Sequence, residues 1–452
     1  MAPGTHPGLR AAQALRTVVF LTFCLFLVAF QFAPASDWTF LDDLRSGNQA
    51  GTEIHDRVKH ILKGTPLIDG HNDLAIFLRA YLNNHISWPN FTKPFENGTL
   101  PFHTDLARLR QGQAGGAFWS VFWPCPPNGT DYSTANYSPI VRATLDQIDV
   151  MTRLLAAYPS DFSPSSLSPK TARQAFLSHG KLISPLGIEG LHQIGNSAAT
   201  LRAFHAQGVR YATLTHNCGN RYADAALWEN PFRVAPPVHH GVSRAGRALV
   251  AEMNRLGVIV DLSHTSVDTQ LAVLGGGPDS WEGSAAPVMF SHSSVHRLCP
   301  HPRNVQDHVL DLLKKRNGVV MINFAPDFVS CVDAGRENGV PDFYPPNSTL
   351  EWVAEHVLYV GRRIGFDHVG LGSDFDGITS TPRGLEDVSK FPDLVAELLK
   401  RGVSDEDAAK VVGGNVLRVW EDVEAVAEKL QKQGQPVLED DLESPWWSHS
   451  YT

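Results

Sequence analysis

The sequence lacks the features that mark nucleic-acid-binding proteins and repeat proteins. Its 452 residues contain no run of Lys and Arg, and 47 acidic residues outnumber 38 basic ones, for a formal net charge of −9. Nucleic acid is therefore not an expected partner, since binding to phosphates relies on clustered positive charge. No short repeat and no long low-complexity tract is visible. With 452 residues, 43% of them hydrophobic, the chain can bury a large core as one large α/β domain or as two domains.

Long apolar runs are also lacking, with one exception near the N-terminus. The segment TVVFLTFCLFLVAFQFAPA (residues 17–35) follows two arginines and ends in small residues, as a secretory signal does. Its length is near the lower limit for a membrane-spanning helix, so it fits a cleaved signal or a signal anchor. Both predict a protein of the secretory pathway, secreted or held in the membrane by this segment with its catalytic domain on the extracytoplasmic side.

The predicted organisation has three parts. Residues 1–52 comprise the signal or anchor and a polar linker, residues 53–432 form the folded domain, and residues 433–452 form an acidic polar tail.

Cysteine is scarce, and its distribution agrees with an oxidising compartment. Four cysteines lie outside the apolar segment, and an even number suits two disulfides with three possible pairings: Cys125, Cys218, Cys299 and Cys331. Five sequons predict N-glycosylation on exposed loops of a secreted protein: Asn90, Asn97, Asn128, Asn136 and Asn347.

What the sequence does contain is an alternation of short apolar runs with longer segments of helical spacing. The helical segments include 143–158, 243–257 and 349–365, two of which end in a glycine suited to a helix C-cap. Eight units of strand and helix in about 380 residues predict a (β/α)8 barrel, with a doubly wound open sheet as the alternative. The predicted strands are 66–73, 115–123, 181–190, 211–217, 258–264, 287–294, 318–324 and 368–377.

Side chains suited to metal binding stand at the ends of these predicted strands. His71 and Asp73 are two residues apart in PLIDGHND, so in a strand both would point the same way. A single such residue is easily explained as a cap or a turn former. In a (β/α)8 barrel, however, all the carboxyl ends meet at one mouth, where active sites are built. Five other runs end at or near such residues: Glu189, His216, His264, His292 and Asp374.

Four histidines and three carboxylates exceed the three protein ligands that a catalytic zinc usually takes. A second metal a few Å away needs a bridging group, and Glu189 in the GIEG stretch is suited to that role. A two-metal site generates hydroxide at neutral pH and holds the attacked oxygen, so the pattern predicts a hydrolase.

Seven motifs carry a resemblance to a known family. DGHND, GIEG, LTHN, VDLSH, FSHSS, RNVQD and GSDFDG occur in this order, and the chain resembles the membrane dipeptidase (renal dipeptidase) family of zinc-dependent metallopeptidases. The resemblance implies two zinc ions per chain. In it, His71 and Asp73 bind one zinc, His264 and His292 bind the other, and Glu189 bridges both.

The resemblance covers residues 53 to 430 and also implies the roles of the remaining residues. His216 would contact the substrate and the tetrahedral intermediate, Arg303 would hold the substrate carboxylate, and Asp374 would handle the proton on the amine side. The implied reaction is hydrolysis of the peptide bond in a range of dipeptides. The implied disulfides are Cys125–Cys218 and Cys299–Cys331.

Two departures from relatives shape the remaining expectations. The chain ends in LEDDLESPWWSHSYT, which is acidic and polar, so no GPI anchor is expected. No cysteine follows Cys331, so a covalent dimer is not expected, whereas a noncovalent homodimer is possible.

Two alternative functions stay open. One is another binuclear amidohydrolase, such as an N-acyl amino acid deacylase or a lactonase, and the other is a noncatalytic surface-binding barrel.

Overall fold

Residues 51–441 are described by the structure, which is a computed structural model. The chain divides between Arg57 and Val58, and the fold below is that of the second unit. The apolar segment 17–35 and the last eleven residues of the predicted tail lie outside the described residues. Within the part that is described, no helix has the length and apolar character needed to cross a membrane.

Eight parallel strands close into a barrel, and each pairs with the next until the last returns to the first. Each strand coincides with one of the eight predicted runs, so the (β/α)8 prediction is confirmed and the open sheet is excluded. The strands are β1 (Leu67–Asn72), β2 (Ala114–Ser120), β3 (Leu186–Glu189), β4 (Val209–Thr213), β5 (Ile259–Asp261), β6 (Val288–Phe290), β7 (Val319–Ile322) and β8 (Val369–Leu371).

Helices follow the strands and cover the outside of the barrel. Several begin at a Ser or Thr whose side chain accepts a hydrogen bond from a free N–H of the first turn, as Ser243 and Thr349 do. After β1 the α-helices are α1 (Leu74–Leu82), α2 (Pro89–Asn97), α3 (Leu106–Gln111), α4 (Thr134–Ala157), α5 (Pro169–His179), α6 (Ala198–Ala206), α7 (Arg244–Leu256), α8 (Val267–Val273), α9 (Asp307–Lys315), α10 (Pro326–Val329), α11 (Leu350–Ile364), α12 (Phe391–Lys400), α13 (Asp405–Ala409) and α14 (Asn415–Lys432).

The three helical segments singled out in the sequence correspond to α4, α7 and α11. Gly257 ends α7 with φ 86°, and its N–H bonds to the Met253 carbonyl. Only glycine adopts this left-handed conformation without steric cost, so the predicted C-cap is confirmed at this position.

The core lies between the barrel strands and the last helix. Phe118 of β2 packs against Trp420 of α14 with ring centroids 5.6 Å apart, and both side chains are buried. Two short hairpins, which the sequence analysis missed, are inserted in the loops after β4 and β7. They are joined by a hydrogen bond from the Val234 N–H to the Asn338 carbonyl.

Both disulfides have the pairing that the resemblance implies. Cys125–Cys218 joins the loop after β2 to the loop after β4, and Cys299–Cys331 joins the loops after β6 and β7. Each bond therefore links connections at the carboxyl ends of the strands, where the candidate site lies.

Candidate metal centre

The predicted site residues meet at the carboxyl end of the barrel. A cavity of about 450 Å³ opens there, and its wall includes six of the eight predicted residues: Asp73, Glu189, His216, His264, Arg303 and Asp374. The other two, His71 and His292, are fully buried and contact members of that wall. All eight are therefore brought together, because they lie at or beyond the carboxyl ends of six barrel strands, β1, β3, β4, β5, β6 and β8.

The carboxylate of Glu189 lies between two groups of potential ligands. Its Oε2 atom is 3.6 Å from His71 Nε2, and that nitrogen is 3.0 Å from Asp73 Oδ2. Its Oε1 atom is 2.9 Å from His264 Nε2 and 3.4 Å from His292 Nε2. The two oxygens of one carboxylate thus face different ligands, as a bridge between two cations requires.

Hydrogen bonds behind His292 and His264 fix which ring nitrogen carries the lone pair. Ser291 donates its hydroxyl to Asp261, so its oxygen accepts from His292 Nδ1 at 2.8 Å. The Nδ1 of His264 lies 2.9 Å from Asn217 Oδ1, which can only accept. Both Nε2 atoms therefore carry lone pairs, yet they are 3.0 Å apart. Two lone pairs at this distance repel each other, whereas a cation bound by both nitrogens makes the arrangement favourable.

The pKa values of the clustered side chains also fit a metal centre. Burial and the nearby Arg303 guanidinium hold the pKa values of His264 and His292 well below the ordinary range, so both rings are neutral at neutral pH. Burial raises the pKa of Glu189 to about 7 and that of Asp374 to about 6, against an opposing effect of His71 and with a smaller contribution from the negative charge of Asp73. Burial lowers the pKa of His71, but Tyr211, Asp73 and Glu189 outweigh it and raise that pKa well above the ordinary range. The carboxylates therefore favour a positive charge beside them, which a divalent metal would supply.

One oxygen of the Asp73 carboxylate also lacks a partner among the described residues. The Asp73 side chain is buried, and its Oδ1 atom has no hydrogen-bond donor. An unsatisfied carboxylate oxygen is costly in a protein interior. The residues present therefore fit a metal centre of the mixed histidine and carboxylate type.

The backbone adopts unusual conformations where these side chains leave the barrel. His264, Asp374 and Asp376 have φ values of 64°, 66° and 67°, a region that residues other than glycine seldom occupy. Asp376 is held there by His103. The Asp376 N–H donates to His103 Nδ1 at 3.0 Å, and the His103 N–H donates to Asp376 Oδ1 at 2.8 Å. The two hydrogen bonds with His103 thus maintain the conformation of Asp376 at the wall of the cavity.

Arg303 lies beside the cluster and is only 2% exposed. One guanidinium nitrogen, Nη2, is 2.9 Å from His292 Nε2, and the Phe328 ring centroid is 5.0 Å from Cζ. The other two nitrogens, Nε and Nη1, are buried without an acceptor. Burial lowers the pKa of Arg303 to about 10, so it remains charged at neutral pH. A buried cation with two unused donors is suited to an anionic ligand.

His216 and Asp374 complete the cavity wall. His216 Nε2 is 3.9 Å from Glu189 Oε1, and its ring lies against Phe122 and His264. Asp374 Oδ2 accepts a hydrogen bond of 3.0 Å from Asn323 Nδ2.

Sequence reasoning missed the residues that orient the ligands. Tyr211, whose hydroxyl is 2.7 Å from His71 Nδ1, and Asp261 both lie within buried strands. The available signal was a polar group inside an otherwise apolar run, as in VIVDLSH. The same signal was present at Asn323, the polar residue of the run 318–324, and Asn217 ends the run 211–217.

Comparison with known proteins agrees with this geometry. The model of the membrane dipeptidase family, peptidase family M19, matches residues 55–434. The chain belongs to the membrane dipeptidase family. This dipeptidase-family chain is 48% identical to dipeptidase aclJ of Aspergillus oryzae over 377 residues, 82% of each chain. It is 46% identical to dipeptidase tcpJ of Claviceps purpurea over 378 residues, which cover 84% of this chain and 81% of that one.

A solved structure also supports the family. A metallopeptidase from Rhodobacter sphaeroides, bound to a phosphinate mimic of the dipeptide L-Ala-D-Ala, is 26% identical. It superposes with a TM-score of 0.63 and covers 79% of this chain and 99% of its own. The members of this metallopeptidase family depend on metal, typically zinc, and the chain has candidate residues for binding it.

Proposed function

We propose that this membrane dipeptidase-family protein hydrolyses the peptide bond of a range of free dipeptides at a centre of two zinc ions. The observation that carries the proposal is the position of Arg303. A buried guanidinium with two unused donors lines the same cavity as a cluster of metal ligands. A substrate with a free carboxylate close to its scissile bond would satisfy both.

In this proposal His71 and Asp73 hold one zinc, His264 and His292 hold the other, and Glu189 contacts both. The orientation of the two Glu189 oxygens toward different histidines supports the assignment. When bound, the metals would provide Lewis acidity and a nucleophile at neutral pH.

The other side chains act on the substrate. Arg303 pairs with the carboxylate and sets the distance to the scissile carbonyl. His216 contacts the carbonyl oxygen as negative charge develops on it. Asp374, held by Asn323, passes a proton to the nitrogen that leaves as an amine. This division puts the C-terminal carboxylate of the dipeptide at Arg303 and the scissile nitrogen within reach of Asp374.

We also propose that the protein enters the secretory pathway and is glycosylated. The apolar segment 17–35 and the sequons favour entry into the secretory pathway. Asn90, Asn97 and Asn128 are exposed, so their side chains are accessible for a glycan. The Nδ2 of Asn136 donates to two carbonyls, so we expect glycosylation at the first three in preference to this one.

The proposed function is tested by Arg303→Lys on a dipeptide and on its C-terminally amidated analogue. An ammonium is a point charge and cannot replace the parallel hydrogen bonds of a guanidinium. We expect unchanged metal content and a loss of about 2–4 kcal/mol in transition-state stabilisation for the free dipeptide, measured as kcat/KM. The amidated substrate, which the wild type should cleave poorly, should be affected little.

The wild-type protein provides the decisive control. If it cleaves the amide as well as the acid, Arg303 does not bind a substrate carboxylate. A broader amidohydrolase would then account for the site better than a dipeptidase.

A further inference from the structure

We propose that Asp327 makes the enzyme select dipeptides by the side chain of their C-terminal residue. A cationic side chain is favoured there and an acidic one is disfavoured. The inference rests on the proposed function, because it takes Arg303 as the group that binds the substrate carboxylate.

Asp327 lies at the Arg303 end of the cavity. It belongs to the first turn of α10, next to Phe328, whose ring packs against the Arg303 guanidinium. All three residues line the cavity. In a dipeptide held by Arg303, the C-terminal side chain branches from the carbon that carries the carboxylate. That side chain therefore lies close to the residues around Arg303.

The carboxylate of Asp327 has no partner of its own. Among residues 51–441 it forms no hydrogen bond and no ion pair, and partial burial alone raises its pKa. The other acidic residues of the wall each have a partner: Asp73 and Glu189 at His71, Asp374 at Asn323 and Asp376 at His103. Asp327 is thus left with an uncompensated negative charge facing the place of the C-terminal side chain.

The surroundings add to the selectivity. Within the described wall of the cavity, Arg303 is the single Lys or Arg, and the α-carboxylate of the substrate would occupy it. An acidic C-terminal side chain would then meet Asp327 without a compensating cation, whereas Lys or Arg would supply one. Because the partly desolvated carboxylate of Asp327 stays in contact with water, water moderates the effect, and we expect discrimination of roughly 3- to 10-fold.

The test compares three dipeptides that share their first residue. The substrates are Ala-Lys, Ala-norleucine, which keeps the apolar stem without the charge, and Ala-Glu, measured with the zinc-loaded protein at low ionic strength. The wild type should show kcat/KM about 3- to 10-fold higher for Ala-Lys than for Ala-norleucine, and lower for Ala-Glu. Asp327→Asn should equalise Ala-Lys and Ala-norleucine while changing the rate on Ala-norleucine less than about 2-fold.

Two controls locate the effect. Asp333→Asn removes an exposed aspartate a few residues away that does not line the cavity, and it should leave the preference unchanged. Lys-Ala compared with norleucine-Ala moves the charge to the other end of the substrate, where Asp327→Asn should have no effect. The Ala-Lys preference should also fall with added salt, since mobile ions screen an exposed pair.

The outcomes separate the two proposals. If the wild type cleaves all three dipeptides at equal rates, or if Asp327→Asn keeps the preference, Asp327 does not determine specificity although the dipeptidase proposal stands. If the wild type cleaves none of the dipeptides, the proposed function itself is wrong.

Discussion

The imidazole of His292 is oriented by a chain of two hydrogen bonds that ends on a buried carboxylate. His292 Nδ1 donates to Ser291, and Ser291 donates to Asp261. Asp261 also accepts from the Ser291 N–H at 2.8 Å and from the Thr213 hydroxyl. The carboxylate therefore fixes both the tautomer and the ring plane of His292, which metal ligands require for tight binding.

We expect Ser291→Ala to weaken zinc binding by about 10- to 100-fold. The wild type should hold about two zinc ions per chain by elemental analysis, and competition with a chelator should remove one of them more easily from the variant. Ser184→Ala is a matched control. Ser184 is equally buried, but its hydroxyl bonds only to a backbone carbonyl. Equal zinc affinity in the wild type and Ser291→Ala would show that the hydrogen-bonded chain is unimportant for metal binding.

At the scale of secondary structure elements, the strands end earlier than the apolar runs predict. The run 258–264 yields only β5, Ile259–Asp261. After Asp261 the chain leaves the sheet and reaches His264 in a left-handed conformation. The side chains of the site are therefore carried by short connections between strand and helix, and their positions depend on what holds those connections.

The two disulfides hold these connections, and they enclose loops of different length. Cys125 and Cys218 are 93 residues apart, whereas Cys299 and Cys331 are 32 apart. On the chain-entropy model the longer loop contributes roughly 4–5 kcal/mol and the shorter roughly 3–4 kcal/mol to the free energy of unfolding. Cys125 Sγ is also 3.7 Å from His216 Nδ1, so the first bond supports a residue of the site.

Replacing Cys125 and Cys218 together by Ala should therefore lower both stability and kcat. Replacing Cys299 and Cys331 together should lower stability somewhat less and should not affect His216 directly. Urea unfolding and steady-state kinetics on one dipeptide would compare the two double variants. A larger loss of kcat in the second variant would contradict the assigned role of the first disulfide.

At the scale of the whole molecule, the start of the acidic tail is fastened to the barrel helices. Asp440 accepts hydrogen bonds from the Ala198 and Ala199 N–H groups at the beginning of α6, at 2.7 and 3.1 Å. The Leu438 N–H donates to Glu252 of α7 at 3.1 Å. The composition of the tail suggests a solvated segment, yet Asp440 satisfies two free donors at the beginning of α6.

The tail attachment should weaken in acid. Burial alone would raise the pKa of Asp440, but the hydrogen bonds from Ala198, Ala199 and Ser197 outweigh it, and the net pKa lies below the ordinary value of 3.8. A carboxyl whose pKa is lowered by folding stabilises the protein above the ordinary pKa. This contribution is lost as the pH falls through the lowered value.

Asp440→Ala should accordingly reduce the free energy of unfolding by about 1 kcal/mol at pH 6 and by less as the pH falls below about 3.8. Urea unfolding over this pH range measures the difference. Asp441→Ala alters an adjacent exposed acid and should have little effect. A difference between wild type and Asp440→Ala that stays constant with pH would exclude the ionised cap.

The amino-acid sequence by itself determined the barrel, the family and the eight residues of the site. Eight apolar runs of strand length mark the sheet, and seven of the eight residues stand at or near the ends of these runs. The family and Arg303 came from the resemblance that the motifs carry. The disulfide pairing came from the resemblance, since composition alone left three pairings open.

Only the tertiary structure decided how these residues act together. The structure shows that the two Glu189 oxygens face different histidines, that Arg303 has unused donors and that Asp261 supports His292 through Ser291. These features depend on contacts between segments that are distant in sequence. No local pattern encodes such contacts, because hydrogen bonds between separate connections depend on how the barrel closes. The uncompensated charge of Asp327 likewise becomes visible only when the cavity wall is assembled.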